Sequence, residues 1–244
     1  MCSDYRDRIY EKYATGFQDS PEQVDVVAAA RWRKACGYYL RGWLPDIKQV
    51  QIIDVACGSG NLLRFFAENG YRHIRGVDIS PEQVSLARRI VPEVFEGDAI
   101  EFLEAHREEY DLITGLDIVE HFHKPEVLRF LDACHAALRP GGRLILQTPN
   151  ADSPWGTAHR YNDFTHEVGF SPNVLFRLLR LAGFAEIESR ETGPIPFGYT
   201  MASTLRYLVW QAIRVVLKTW NIAETGDAGS GVFTRVFLIS GIKK

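Results

Sequence analysis

Between residues 50 and 150 the chain alternates short apolar runs with amphipathic stretches, and this alternation restricts the possible fold more than any other feature. Strands buried on both faces, separated by helices with one apolar stripe, build an α/β domain around a mostly parallel sheet. The strands read as 50–55, 74–78, 94–96, 110–116 and 143–148. Helix signals fall between them. Ser80-Pro81-Glu82-Gln83 combines an N-cap serine, a first-turn proline and a glutamine placed to complete a capping box. Val127, Leu131, Cys134 and Leu138 recur at helical spacing before the Pro140-Gly141-Gly142 stop. A later helix starts at Ser171-Pro172, buries Val174, Leu175, Leu178, Leu179 and Ala182, and closes at Gly183. Residues 185–188 and 232–240 read as two further strands, with an aromatic-rich insertion over 194–220 between them. The first 45 residues read as a helical cap, with Ser20-Pro21-Glu22-Gln23 as its start and Val24, Val27, Ala28, Trp32 and Ala35 as its apolar face.

Composition narrows the function classes. With 46 % hydrophobic and 24 % charged residues, and 28 basic against 31 acidic side chains, the chain is an ordinary globular one of net charge −3. Collagen, simple disorder and a polybasic nucleic-acid binder are excluded. Cys2, Cys36, Cys57 and Cys134 form no C-x-x-C pair, so a reducing cytoplasm is expected rather than a disulfide framework or a zinc knuckle. Charges throughout residues 1–10 argue against a signal peptide.

The first strand runs into Asp54-Val55-Ala56-Cys57-Gly58-Ser59-Gly60, a glycine loop that lets a ligand approach the backbone at the start of a helix over 61–68. A dinucleotide site wants a third glycine where Leu63 stands. Asp54 repels a diphosphate and attracts an ammonium group, so the loop suits a cationic ligand. Asp78 ends the second strand eighteen residues after Gly60, the spacing at which an acid accepts from ribose hydroxyls. Asp98 ends the third strand and can accept from an adenine amino group.

With this loop, Asp78, Asp98, Tyr110-Asp111-Leu112-Ile113 and Arg139-Pro140-Gly141-Gly142-Arg143-Leu144, the chain resembles class I S-adenosylmethionine-dependent methyltransferases from residue 50 to its end. The resemblance implies a Rossmann-like, seven-stranded, mostly parallel sheet with an antiparallel last strand, helices on both faces and a helical N-terminal cap. The pattern along the chain reads as one domain over 1–244: cap 1–45, core 46–192 and 231–244, helical insertion 193–230. The resemblance also implies S-adenosylmethionine lined by Asp54, Ala56, Gly58, Gly60, Asp78, Ile79, Asp98, Ala99 and Leu116, with S-adenosylhomocysteine as product. Ala56 departs from the glycine more usual there. Arg33, on the cap, is placed to pair with the cofactor carboxylate.

The segment after the fourth strand, Leu116-Asp117-Ile118-Val119-Glu120-His121-Phe122-His123, lies where an acceptor approaches. A hydroxyl acceptor needs a base, and His121, oriented by a carboxylate such as Glu120, has the right titration range; a structural histidine is the alternative. Acid-x-x-Glu-His also resembles ubiquinone-biosynthesis O-methyltransferases and small-RNA ribose methyltransferases, in which this pattern holds a divalent metal. Asp117, Glu120, His121 and His166 are the matching residues, although the first acid is here the shorter aspartate, and a metal is not favoured. Residues 148–240, with Asp163-Phe164-Thr165-His166, Ala182-Gly183-Phe184 and Glu224-Thr225-Gly226, resemble methyltransferases of polysaccharide and glycan clusters. His166 is then a second catalytic or substrate-binding residue, or a packed loop histidine. Leu205, Leu208, Val209, Ile213, Val216 and Trp220 share one helical face, expected to pack on the domain or, alternatively, to rest on an anionic membrane surface. The segment is too short and too charged to span a bilayer.

The expected activity is therefore methylation of a sugar hydroxyl in a glycan or its precursor. Alternatives are a quinone or small-aromatic O-methyltransferase and a cofactor-binding module without turnover. A nucleic-acid acceptor ranks below these, because the net charge offers little to a phosphate backbone.

Overall fold

The computed structural model describes residues 5–16, 26–195 and 200–244. Cys2, the Ser20-Pro21-Glu22-Gln23 cap signal and Val24 lie outside them, as do the side chains of Val27 and Ala28. Helices α1 (Tyr5–Tyr10), α2 (Tyr13–Gly16) and α3 (Val26–Tyr39) precede the sheet. There follow β1 (Gln51–Val55), α4 (Asn61–Glu68), β2 (His73–Asp78), α5 (Pro81–Ala87), β3 (Val94–Glu96), α6 (Ala99–Glu104) and β4 (Tyr110–Leu116). A single 3₁₀ turn, Val119–His121, leads to α7 (Lys124–Ala137), β5 (Leu138–Pro149), α8 (Gly156–Arg160) and α9 (Pro172–Leu181). The chain closes with β6 (Phe184–Glu191), α10 (Met201–Thr225) and β7 (Val236–Lys243).

The strands form one sheet in the order β3-β2-β1-β4-β5-β7-β6. β1 to β5 run parallel, and β7 is antiparallel to both β5 and β6. Side chains alternate across the pleat, so neighbouring residues of one strand serve opposite cores. Ile53, Val55, Ile113, Leu144 and Leu146 pack with α6, α7 and α9, whereas Ile52, Ile74, Leu112 and Ile145 pack with α3, α4 and α5. Chain order reverses between β1 and β4, and a crevice opens beyond their carboxyl ends.

Local signals hold unevenly. Ser171 accepts from the Val174 amide as an N-cap, but Val174 is exposed and only Leu175 and Leu179 of its expected stripe are fully buried. Ser80 stands at the N-cap of α5 without a side-chain capping bond; its amide donates to Asp78 instead. Leu138 already pairs with Tyr110 and Arg143 with Leu112, so Pro140-Gly141-Gly142 is a bulge within β5 rather than a break before it.

Candidate active site

β1 delivers a loop of unusual backbone. Ala56, Gly58 and Gly60 all have positive φ, at 52°, 53° and 87°. Gly60 is required twice over, since a Cβ there would lie 2.9 Å from Ile90 Cδ1 and 3.2 Å from Ala87 Cα. Ala56 holds the left-handed conformation with a side chain, which costs about 1–2 kcal/mol. Asp78, at the end of β2, holds the loop in place: Oδ2 accepts from the Gly58 amide at 2.8 Å and Oδ1 from Ser80 at 2.9 Å.

Asp54 is buried at the end of β1, where Thr114 Oγ1 donates to its Oδ1 at 2.7 Å. Burial raises its pKa to about 7, against the pull of the Thr114 hydrogen bond and with help from the Asp78 charge. Burial raises Asp78 as well. Two buried acids with no cationic hydrogen-bond partner among the described residues, beside a cavity of about 650 Å³, suit a positively charged nucleoside ligand. Every residue expected to line the cofactor borders this cavity except Gly60, which shapes it from behind, and Arg33. Arg33 pairs with Glu68 at 2.8 Å, on the α4 side of the cap. Its neighbour Trp32, one residue and about 100° round the helix, borders the cavity instead. Asp98 also borders it, while its Oδ1 caps α6 by accepting from Ile100 and Glu101.

The 3₁₀ turn after β4 places His121 on the same cavity. Its Nδ1 lies 2.8 Å from Thr165 Oγ1, and Thr165 donates its hydroxyl proton to Asp163 Oδ1 at 2.6 Å. A hydroxyl has one proton to give, so toward His121 Thr165 accepts, and the imidazole carries its proton on Nδ1. Burial and the neighbouring His166 lower the His121 pKa to about 4. Orientation of this ring thus comes from Thr165 rather than Glu120. Glu120 is buried, accepts from Thr148 at 2.9 Å through Oε2, and leaves Oε1 without a hydrogen-bond partner among the described residues. Burial and the Asp117 charge push its carboxyl well above the usual range. His166 Nε2 stands 4.0 Å from that oxygen, and its Nδ1 donates to the Arg160 carbonyl. One ligand atom each from Glu120, His121 and His166 lies within 4.8 Å of the others. Asp117, expected to join them, instead accepts from Gln147 at 3.0 Å.

The N-terminal helices also contribute to the cavity wall. Tyr10 borders the cavity with its ring 6.4 Å from that of His121, and burial raises its hydroxyl to about 12. Arg6 also borders it and is held by both oxygens of Glu126. No motif marks either residue.

A switch-point cavity with a buried acid at each of two strand ends, in a sheet whose seventh strand runs antiparallel, is the arrangement of a nucleoside-binding α/β protein. Comparison with known proteins carries this further. A family model described as a methyltransferase domain matches residues 27–189, and the chain belongs to that family. It is an S-adenosylmethionine-dependent methyltransferase. A ubiquinone biosynthesis O-methyltransferase of Aromatoleum aromaticum is 27 % identical over 186 residues, covering 65 % of this chain and 76 % of that protein. Its namesake in Coxiella burnetii is 29 % identical over 109 residues, 43 % of this chain and 45 % of the relative. In fold, the chain is similar to a SAM-dependent methyltransferase of Archaeoglobus fulgidus, with TM-score 0.64, 22 % identity, and 98 % and 100 % of the two chains covered. It is likewise similar to a Haemonchus contortus phosphoethanolamine N-methyltransferase 2, with TM-score 0.63, 14 % identity, and 96 % and 60 % covered.

Proposed function

We propose that the protein methylates an aromatic hydroxyl of a small quinone-type acceptor, with His121 as the base. The observation that carries this reading is the Asp163–Thr165–His121 chain, which holds an imidazole at the edge of the cofactor cavity. Bound S-adenosylmethionine supplies a methyl group on a positively charged sulfur, so the leaving sulfide needs no acid. The protein has to hold the acceptor oxygen in line and take its proton. Nε2 of His121 receives that proton, and the imidazolium so formed is stabilised through Thr165 by the Asp163 carboxylate.

The acceptor class follows from proton affinity. With a pKa of about 4, His121 is a weak base. A phenol, at about 10, gives up its proton far more readily than an alcohol, whose acidity is nearer that of water at roughly 16. This favours an aromatic hydroxyl over the sugar hydroxyl placed first from sequence, as do the names of the curated relatives. Methyl transfer to dihydroxybenzoate-type phenols and to nucleotide sugars, measured side by side, tests it. Phenols should turn over, and His121→Ala should lower kcat by about 10²- to 10⁴-fold. Turnover of sugars alone, or a His121→Ala rate equal to wild type, overturns the reading.

A second reading rests on the partnerless oxygen of Glu120. Together with His121 and His166 it fits a divalent cation, with Thr148 and the Arg160 carbonyl fixing two of the donors. Such an ion would polarise the acceptor oxygen. Activity abolished by chelation and restored by a divalent metal supports this reading, and activity indifferent to chelation supports the base.

A further inference from the structure

Helix α10 is turned inside out. A helix on a globular domain ordinarily buries its apolar stripe and shows its polar face to water, but α10 has no buried residue. Its polar groups face the domain: Ser203 donates to the Ile195 carbonyl, Trp210 Nε1 to Glu191, and Arg214 pairs with Glu191 and donates to the Gly231 carbonyl. Most of the face expected to pack inward points away: Leu205, Leu208, Val209, Val216 and Trp220 are each between 52 and 67 % exposed, as is Val215 beside them, while Ile213 of the expected set is half-buried.

This face is continuous and regular. Leu205, Val209, Ala212, Val216, Thr219 and Ala223 recur at alternating spacings of four and three, all exposed, the repeat that keeps one seam toward a partner helix. The helix is about 37 Å long at 1.5 Å per residue. An unbroken apolar strip of this length is more than a monomer usually leaves bare, and a standard interface buries about 800 Å² per partner.

The charges at the rim identify the occupant. Arg206 and Glu224 are eighteen residues apart, five whole turns at 3.6 residues per turn, so they stand on the same edge of the apolar face near opposite ends. Trp220 Nε1 donates to Glu224 and holds it there. A two-fold axis perpendicular to the helix keeps each edge on its own side and exchanges the ends. Arg206 of one copy then meets Glu224 of the other, twice. A helix lying on anionic lipid instead carries basic residues along its flanks. Here Glu224 would face the headgroups, Arg214 is already used by Glu191, and Lys218 is half-buried beside Gly231.

We propose that α10 is a self-complementary interface through which two copies of this chain pair, helix antiparallel to helix, with Arg206 and Glu224 in reciprocal contact. Sedimentation velocity on the full chain should show a species of twice 27.7 kDa at micromolar concentration. Val216→Glu should abolish it. Arg206→Glu and Glu224→Arg should each weaken the dimer about tenfold or more, and the double variant should recover most of that loss. The substituted side chains point outward, so circular dichroism and cofactor affinity serve as controls for folding. A monomer at all concentrations overturns the proposal, as does a dimer indifferent to Val216→Glu or a charge swap without recovery. Capture of a monomer by phosphatidylglycerol vesicles would assign the face to lipid and overturn it equally.

Discussion

Asp54 gives the most quantitative test of how the cavity selects its ligand. Its pKa is near 7 because burial outweighs the Thr114 hydrogen bond. A ligand whose ammonium group sits beside this acid binds the ionised form, and binding must lower the pKa. Affinity is then full above about pH 8 and falls as the carboxylate takes up its proton. With a free-state pKa of about 7, the dissociation constant should weaken about tenfold from pH 8 to pH 6, close to 1.4 kcal/mol. Calorimetric titration with S-adenosylhomocysteine in two buffers of different ionisation heat measures both the affinity and the proton released, which should approach about one per site at pH 6. Asp54→Asn carries only the titrations of the ligand and of other residues, so the difference between the two profiles isolates Asp54. Thr114→Val removes the hydrogen bond that favours the charged form and should move the midpoint upward. Parallel profiles for the wild type and Asp54→Asn would refute the argument that this acid reads a positive charge.

Four further outcomes are expected. Gly60→Ala meets both a positive φ and a contact with Ile90, and should cost about 1–3 kcal/mol in urea denaturation. Ala56→Gly should stabilise by about 0.5–1 kcal/mol in the same experiment, because relief of the left-handed conformation exceeds the extra entropy of an unfolded glycine. Thr165→Val should lower kcat about ten- to a hundredfold with little change in cofactor affinity, and Thr165→Ser should restore most of it. Since the His121 pKa is depressed to about 4, its ring stays neutral from there upward. Loss of kcat on acidification should therefore come only near that value, as seen in a stopped assay across the acid range.

What the sequence disclosed and what it hid have separate physical reasons. Parallel strands such as 110–116 are buried on both sides and read as apolar runs whatever surrounds them. The loop acids were readable because a strand end, a glycine turn and a helix start are adjacent in the chain. The His121 orienting group was not, since Thr165 lies forty-four residues away and makes no local pattern with it. Tyr10 is farther still. Arg33 pairs with Glu68 on the neighbouring helix while Trp32 borders the cavity, because a helix turns successive residues in different directions. In α10 the periodicity gave the apolar face correctly, but a period has no sign and does not say which way the face is turned.

The Asp78 carboxylate receives amides of its own chain on both oxygens. The glycine loop is thus braced by contacts that belong to the chain itself and need no ligand to form. The Gly58 and Ser80 amides should already exchange slowly with deuterium in the ligand-free state, and saturation with ligand should change them little. For the same reason a lost-affinity measurement on Asp78→Ala reports two events at once: contacts to the ligand that are gone, and a loop released to sample other shapes.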